Sequence, residues 1–213
     1  MSLSLFASIQ SGVVCDAMGR LGLDGFMDGV LPLRPKVRIA GPARTLMYRP
    51  RRGVGRPDLN IYALIAQCRP GEVLVLGSDR TDCWLFGENV AHAAMYQGLA
   101  GIVTDSRVRD GAELAELEIP CFARGVATRP PSGIELVAFD VPVSCGGAQV
   151  RPQDVIVGDS DGIVVVPAEK VEEVAVQAAD LDELERLQEK AIADRVPLPE
   201  LMKVLALKKK LKA

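Results

Sequence analysis

The sequence is poor in histidine and in aromatic residues, and the shortage of histidine excludes whole classes of chemistry. His92 is the only histidine among 213 residues, and aromatic residues make up 4% of the chain. Because zinc enzymes need two or three imidazole or thiolate ligands in close register, a zinc site is not expected. Nucleophilic catalysis assisted by histidine is disfavoured for the same reason, which leaves carboxylates and arginines as candidates. For His92 itself, a packing or surface role is expected.

Charge, cysteine spacing and hydropathy exclude further classes. The net charge of -3 gives no broad cationic field, so no nucleic-acid partner is expected. The five cysteines include no C-x-x-C pair, which indicates reduced, buried thiols in a cytosolic protein. No stretch approaches the roughly 18 apolar residues of a membrane span, and no signal-like segment opens the chain. A cytoplasmic protein without a membrane segment is therefore predicted.

The length suits one domain over residues 1–213, and the apolar pattern indicates its class. Apolar runs predict strands at 39–47, 73–76, 102–104 and 121–123. Apolar spacing predicts helices at 58–68, with Asp58 as cap, and at 90–97 and 112–117. This alternation predicts parallel strands joined by crossovers, and the short strands expected between 141 and 166 add a β-rich part. A mixed, layered α/β domain is predicted.

The two ends of the chain are expected to be helical. The stretch through Leu21 is predicted to form a peripheral helical element. Pro167 is expected to open a long helix that runs to about residue 194. An apolar stripe along this helix continues onto Glu185, whose carboxylate then lies either on the packing face or at a solvated helix end. The basic tail over 200–213 is expected to be a solvated terminus, with partner binding as the alternative.

A turn rich in small and polar residues follows the strand at 73–76, at the edge where parallel sheets collect ligands. Gly87 permits close approach of a ligand to the backbone. The N–H groups of Asn89 and Val90, at a helix start, can bind a carboxylate. The alternative is an ordinary helix start in which Glu88 interacts favourably with the helix dipole.

The next strand is followed by Arg109 and Asp110, which can present a guanidinium and a carboxylate together. Arginine pairs with carboxylate or enolate oxygens, and a lone aspartate backed by water suits Mg²⁺ or Mn²⁺. The pair could therefore stabilise an enolate. The alternative is that Asp110 caps the following helix and Arg109 is a surface salt-bridge partner.

Several runs together resemble the RraA-like family, over nearly the whole chain. They are F-G-E-N-V-A-H-A-A from Phe86, G-I-V-T-D-S-R-V-R-D from Gly101 and D-S-D-G-I-V-V-V-P from Asp159. That family includes 4-hydroxy-4-methyl-2-oxoglutarate/4-carboxy-4-hydroxy-2-oxoadipate aldolases and regulators of ribonuclease E activity. The resemblance implies a swivelling β/β/α domain, assembled as homotrimers or homohexamers with active sites at subunit interfaces.

The resemblance also implies residue roles. Asp110 would be the metal ligand, and Arg109 would hold the keto or enolate oxygen of the substrate. Asn89 and Val90, next to Gly87, would bind the pyruvyl carboxylate. Two catalytic carboxylates are implied: Glu88, a proton donor and acceptor acting through water, and Glu185, which would reach a neighbouring subunit's site. Ser106 departs from the glycine of many members, which could alter the loop.

The implied activity is that of a class II aldolase dependent on Mg²⁺ or Mn²⁺. It would cleave a 4-hydroxy-2-oxo di- or tricarboxylic acid to pyruvate and a 2-oxo acid, with oxaloacetate decarboxylase activity as well. The alternative is a non-catalytic regulator that binds and inhibits ribonuclease E or its helicase partners, since G-E-N is similar to the G-D-N of such regulators. A basic cluster, Arg49, Arg51, Arg52 and Arg56, either steers polycarboxylates or forms a solvated loop.

Overall fold

The computed structural model describes residues 2–52, 59–78, 80–208 and 210. The strands are β1 (Phe26–Met27), β2 (Leu31–Pro32), β3 (Ile39–Pro50), β4 (Val73–Ser78), β5 (Trp84–Phe86), β6 (Gly101–Thr104), β7 (Arg107–Val108), β8 (Cys121–Ala123), β9 (Ile134–Phe139), β10 (Val143–Cys145), β11 (Ala148–Val150), β12 (Val155–Asp159) and β13 (Gly162–Val166). The helices are α1 (Ser2–Phe6), α2 (Ser11–Arg20), α3 (Ile61–Ile65), α4 (Glu88–Tyr96), α5 (Gly111–Glu116), α6 (Val171–Ala193) and α7 (Leu198–Leu207).

A nine-stranded sheet organises the chain, in the order β1-β13-β12-β3-β4-β6-β8-β2, with β9 also pairing with β3. Its central strands β3, β4, β6 and β8 are parallel. Helices α3, α4 and α5 lie between successive members of this group along the chain. The predicted alternation of strands and helices is thus confirmed, and the carboxyl ends of the four strands meet at one edge of the sheet.

Side chains alternate between the two faces of the parallel strands, so each strand contributes to two cores. Leu74 and Leu76 of β4 pack with residues of α3, α4 and α5. Val73 and Val75 of the same strand pack on the other face, with residues of β10 and β11. Because both faces are covered, β4 is buried at every position and reads as a continuous apolar run.

A third core joins the two ends of the chain. Residues of α1, α2 and α6 pack together on β12 and β13. The apolar face of α2 contributes Val13, Val14, Ala17 and Met18, all buried. The N-terminal stretch is helical as predicted, but the expectation that it is peripheral is wrong. Its apolar residues cover one face of β12 and β13, which would otherwise be open to water.

The C-terminal helix agrees with its prediction of about 167–194. A 3-10 turn at Ala168–Lys170 follows Pro167, and α6 then runs to Ala193. Its apolar stripe is buried at Val174, Ala178 and Leu181. Of the predicted basic tail, the described part forms α7 and its end. In the ranges that the structure describes, no helix is long and apolar enough to cross a membrane.

Two smaller predictions have different outcomes. The helix predicted at 58–68 is shorter, Ile61–Ile65, and Asn60 is its cap, because the Asn60 side chain accepts a hydrogen bond from the Tyr62 N–H at 2.9 Å. Asp58, the predicted cap, lies outside the described residues. All five cysteines are free, four of them buried. Burial raises the pKa of Cys68 to about 11 and that of Cys121 to about 12, so these thiols stay protonated at neutral pH.

Candidate functional site

A short two-stranded sheet brings together the two loops predicted to carry chemistry. Strands β5 and β7 are parallel, and the Arg109 N–H donates to the Phe86 carbonyl at 3.1 Å. Gly87 and Glu88 therefore lie beside Arg109 and Asp110. Ser106, for which the family resemblance implies glycine, keeps a backbone outside the left-handed region. Its buried hydroxyl donates to the Cys83 carbonyl at 2.6 Å, which supports the start of β5.

Asp110 occupies the N-cap position of α5 but does not cap it. Its backbone is left-handed (φ 57°, ψ 44°), and its side chain makes no cap hydrogen bond to α5. The Oδ2 atom instead accepts a hydrogen bond from the Glu88 N–H, at 3.2 Å, at the start of α4. The alternative that Asp110 is an ordinary helix cap is therefore wrong: the carboxylate faces the neighbouring helix start across the site.

The absence of a side chain at Gly87 makes room for this arrangement. A Cβ atom there would lie 2.8 Å from Cγ of Arg109 and would also clash with Oδ2 of Asp110. The φ angle of Gly87 is -145°, an extended value that other residues adopt readily. Glycine is thus required by the space that Arg109 and Asp110 occupy and not by the conformation of the backbone.

The predicted carboxylate seat at the start of α4 is only partly available. The Val90 N–H donates to the Gly87 carbonyl at 3.1 Å, so the expectation that this group is free is wrong. The physical reason is that the first turn of α4 is tightened by an i to i+3 hydrogen bond. In the described part of the chain, the Asn89 N–H has no such bond. A carboxylate bound here would accept from the Asn89 N–H. It would either share the Val90 N–H with the Gly87 carbonyl or displace that carbonyl.

Arg109 is held by two neighbours. Its Nε lies 3.4 Å from Oδ2 of Asp110, and its guanidinium lies over the ring of Trp84 at 4.5 Å. The side chain is 49% exposed. Its Nη atoms donate no hydrogen bond to any residue that the structure describes. No protein acceptor in the described ranges therefore competes with a ligand for these donors. Sequence reasoning missed Trp84, although it is the only tryptophan and lies three residues before Gly87.

Glu88 and His92 form a pair on α4. Nε2 of His92 lies 3.2 Å from Oε1 of Glu88, whose side chain is 41% exposed. The His92 ring also stacks on Tyr96, with centroids 5.8 Å apart. His92 therefore contacts a predicted catalytic carboxylate. The packing or surface role expected for His92 did not include this contact.

Glu185 lies away from these residues within one chain. Its Oε1 accepts from Nζ of Lys208 at 2.9 Å. The Lys208 carbonyl in turn accepts from Nε of Arg20, whose Nη1 also contacts Asp180 at 2.9 Å. None of the contacts of Glu185 within the described ranges reaches Gly87, Arg109 or Asp110. A site that contains both Glu185 and Asp110 would need two copies of the chain.

A buried carboxylate, that of Asp105, supports the same edge of the sheet. It accepts hydrogen bonds from the N–H groups of Ser78 at 3.3 Å and Gly146 at 3.1 Å. Burial raises the pKa of Asp105, and these hydrogen bonds oppose the shift. Its position at the carboxyl end of β6 joins the end of β4 to the turn between β10 and β11. Asp105 is thus a structural residue beneath the site.

The donor set near Asp110 fits one kind of metal ion. No group of three or more His, Cys, Asp or Glu side chains suited to a metal occurs among the described residues. A closed zinc site is therefore not formed by these residues. Mg²⁺ keeps several waters and binds through one or two carboxylates. Because the Asp110 side chain is not used to cap α5, it fits such an ion.

The basic cluster predicted at 49–56 lies partly on β3. Tyr48 pairs with Ser78 of β4, so Arg49 follows at the edge that carries the site. Nε of Arg51 lies 3.8 Å from Oε2 of Glu135, and its side chain is 63% exposed. Arg56 lies outside the described residues. The steering hypothesis for this cluster stays a prediction.

Comparison with known proteins identifies the family. The model of the family described as "RraA-like: Aldolase/RraA" matches residues 12–165. The chain belongs to the RraA-like family. A relative from Halalkalibacterium halodurans, named "Putative 4-hydroxy-4-methyl-2-oxoglutarate aldolase", is 31% identical over 196 residues, which are 91% of this chain and 90% of the relative.

Two solved structures share the fold over most of the chain. An uncharacterized protein from Pseudomonas syringae pv. tomato has a TM-score of 0.86 and 28% identity, covering 95% of this chain and 92% of its own. RraAS2 from Streptomyces coelicolor, described as an unusual member of the RNase ES inhibitor RraA protein family, has a TM-score of 0.78 and 32% identity, covering 88% and 96%. The mixed α/β class with a long C-terminal helix is thus the RraA fold.

Proposed function

We propose that this RraA-like protein is a class II pyruvate aldolase that cleaves a 4-hydroxy-2-oxo di- or tricarboxylic acid to pyruvate and a second 2-oxo acid. One observation carries the proposal: Asp110 sits at a helix start without capping it and shares a site with the Nη donors of Arg109. The relatives named as aldolases support the same reaction. We expect the enzyme to act in the cytoplasm.

The proposed reaction depends on stabilising an enolate. Breaking the C3–C4 bond leaves its electron pair on the pyruvyl fragment as an enolate. Arg109, through its Nη donors, holds the 2-keto oxygen on which the negative charge collects. The Asn89 N–H at the start of α4 binds the adjacent carboxylate. Asp110 would hold Mg²⁺ or Mn²⁺, which when bound withdraws charge from the keto oxygen.

Glu88 is proposed to move the proton. Acting through water, it accepts the proton of the C4 hydroxyl, so that C4 becomes the carbonyl of the second product. The same proton returns to C3 of the enolate and gives pyruvate. The contact with His92 holds the Glu88 side chain on α4. Oxaloacetate should lose carbon dioxide at the same site, because that reaction also passes through pyruvate enolate.

The complete site is proposed to lie between subunits. Glu185 has no contact with Asp110 within one chain, so a homotrimer or a homohexamer is proposed in which α6 of one copy reaches the site of its neighbour. Glu185 forms an ion pair with Lys208. To enter the neighbouring site, Glu185 must either bring Lys208 with it or break this ion pair. Its role would be to complete the acid and base groups around the C4 hydroxyl.

A coupled assay with lactate dehydrogenase and Mg²⁺ tests the proposal directly. We expect pyruvate release from 4-hydroxy-4-methyl-2-oxoglutarate and from oxaloacetate, and loss of that release on chelation and in Asp110→Asn. Background decarboxylation of oxaloacetate by free Mg²⁺ is subtracted with a heat-denatured sample. No pyruvate above this background from either substrate, with Mg²⁺ or Mn²⁺, would refute the aldolase proposal.

Inhibition of a ribonuclease E-type enzyme is a second candidate. The observation that favours it is the likeness to the S. coelicolor protein, at 32% identity and a TM-score of 0.78. Binding to the nuclease or to its helicase partners would use the surface and would not need Asp110. Inhibition of RNA cleavage that persists in Asp110→Asn, with a wild type inactive in the pyruvate assay, would favour this function.

A further inference from the structure

We propose that Trp84 is a positioning residue that holds the guanidinium of Arg109 in the orientation needed to bind the oxo-acid substrate. The inference rests on the aldolase function proposed above and adds a residue that the family resemblance did not indicate. Its basis is the contact between the Arg109 guanidinium and the indole ring, 4.5 Å from the ring centroid.

The backbone of Trp84 is fixed on both of its sides. Its strand pairs with β7 in a register that places Trp84 opposite Arg107. Its own N–H donates to the Arg129 carbonyl at 3.1 Å, on the other side. The Arg109 N–H is bound to the Phe86 carbonyl, so ring and guanidinium extend from two backbones that are hydrogen-bonded to each other. Neither backbone can shift without breaking hydrogen bonds of the short β5–β7 sheet.

Arg109 needs such support because its other anchor is weak. Its single contact with Asp110 is long, 3.4 Å, and both side chains are partly exposed, at 49% and 37%. Ion pairs of this kind contribute little, because solvent screens them and the flexible arginine loses rotamer freedom. A cation over the face of tryptophan is attracted by the ring quadrupole, more strongly where water is partly excluded. Trp84 is half-buried, which meets that condition.

The contact with the ring has the further property that indole offers no oxygen or nitrogen acceptor to the guanidinium donors. Asp110 approaches Nε alone, which leaves the Nη atoms for an incoming keto oxygen or carboxylate. A second carboxylate at this position would fix Arg109 equally well but would compete with the substrate. An aromatic neighbour fixes the side chain and keeps its binding capacity.

Two substitutions and a matched control test the role in catalysis. Trp84→Leu keeps an apolar side chain without an aromatic face and should lower kcat/KM about tenfold, mainly through a higher KM. Trp84→Phe keeps a face and should stay within about threefold of wild type. Tyr62→Leu removes another partly exposed aromatic residue, on α3, and should change nothing. Melting temperatures of all three variants check that the fold is retained.

Because Trp84 is the only tryptophan, its fluorescence reports on the same contact without turnover. Oxalate, a planar dianion that resembles pyruvate enolate, is titrated into the wild type with Mg²⁺. We expect a saturable change in tryptophan emission that is absent in Arg109→Gln. The kinetic arm adds inhibition by oxalate, which should weaken about tenfold in Trp84→Leu and little in Trp84→Phe.

The outcomes separate the two proposals. If the wild type releases pyruvate and folded Trp84→Leu matches it in KM and oxalate inhibition, the positioning role is overturned and the aldolase function stands. If the wild type releases no pyruvate but oxalate changes its emission through Arg109, the aldolase function fails and the coupling of Trp84 to an anion-binding Arg109 stands. If neither signal appears, both proposals fail.

Discussion

Asp110 lies at the start of α5, and the side chain of Asp159 contacts the start of α2, but the surroundings of the two carboxylates differ. Asp159 ends β12 and is 8% exposed. Its two oxygens accept from the N–H and hydroxyl of Ser11 at 2.8 and 2.7 Å and from the Asp161 N–H at 3.0 Å, which ties α2 to the β12–β13 turn. Asp110 is 37% exposed in its side chain and accepts one hydrogen bond, from Glu88.

The difference shows how a structural carboxylate can be told from one available to a ligand. Burial raises the pKa of Asp159, but the hydrogen bonds from Ser11 and Asp161 outweigh it, so the pKa is lowered overall. Such a carboxylate is saturated with donors and contributes to stability. Asp110 occupies a cap position without making the cap, and so gives up a stabilising interaction. Its carboxylate keeps the capacity to bind a cation.

The largest expected effect comes from Asp110→Asn. Asparagine tolerates the left-handed backbone of this position and keeps the size of the side chain, so the free energy of unfolding should change by less than about 0.5 kcal/mol. Pyruvate release should fall at least about a hundredfold, because the anionic oxygen is lost. Urea unfolding and the coupled assay measure the two quantities. Asp161→Asn, an exposed aspartate, is the matched control, and a marked loss of stability in Asp110→Asn would contradict the contrast.

Gly87→Ala should alter the site and spare the fold. The added Cβ meets side-chain atoms of Arg109 and Asp110, which can move, whereas no backbone atom is among its nearest neighbours. Displacing the two side chains should lower kcat/KM by about tenfold to a hundredfold, since small errors in position are costly. The melting temperature should stay close to that of the wild type.

A second glycine provides the control for this variant. Gly12→Ala adds a Cβ in α2 that meets nothing within 4 Å, and it should leave the activity unchanged. If Gly87→Ala were fully active, the close approach of Arg109 and Asp110 to Gly87 would have no role in the reaction.

Glu185→Gln examines whether two copies share one site. We expect about a tenfold loss of activity, smaller than for Asp110→Asn, because other groups can still move the proton. Refolding a mixture of Asp110→Asn and Glu185→Gln chains should restore activity above the sum of the two, since some interfaces then pair an intact Asp110 with an intact Glu185. Glu189→Gln, one turn along α6, is the control. Absence of complementation would place the two residues in separate roles.

Most of the fold follows from local patterns in the sequence. The apolar runs that became β4 and β12 are buried on both faces, and short continuous runs of this kind are typical of strands that are covered on two sides. These local patterns do not show which element packs on each apolar face. The N-terminal helix looked peripheral because its partners, α6 and β13, lie more than a hundred residues away in sequence. Packing between distant elements is not encoded in periodicity.

The candidate site was predicted in its residue types and less well in its contacts. Arg109 and Asp110 follow a strand, and topology alone brings them to the carboxyl edge of the sheet. The hydrogen bond of the Val90 N–H in the first turn of α4 depends on atomic detail, as does the contact between the Trp84 ring and the Arg109 guanidinium. The D-S-D-G run contributed to the family resemblance, yet its first aspartate has a structural role. A motif can therefore identify a family without showing which of its residues are structural and which take part in the reaction.

Asp159→Asn is expected to have the smallest effect on activity. It should lower stability and leave pyruvate release unchanged, whereas Asp110→Asn should lower pyruvate release and leave stability almost unchanged. An amide offers one acceptor where the carboxylate offers two, so a donor at the start of α2 loses its partner. We expect the free energy of unfolding at pH 7 to fall by about 1–2 kcal/mol, with pyruvate release per folded molecule unchanged. Because the pKa of Asp159 is lowered in the folded state, its ionised form stabilises the protein above the unfolded-state pKa of about 4.

This stabilisation is lost as the pH falls through the lower folded-state pKa. The gap in the free energy of unfolding between wild type and Asp159→Asn should therefore be largest at pH 7 and should narrow in acid. Urea unfolding of both proteins in steps from pH 7 down to about pH 3 measures the gap across the unfolded-state pKa. Asp161→Asn leaves the Asp161 N–H in place and should show no comparable gap. A gap that is independent of pH would mean that the shape of the Asp159 side chain, and not its charge, stabilises the protein. Its charge would then no longer distinguish Asp159 from Asp110.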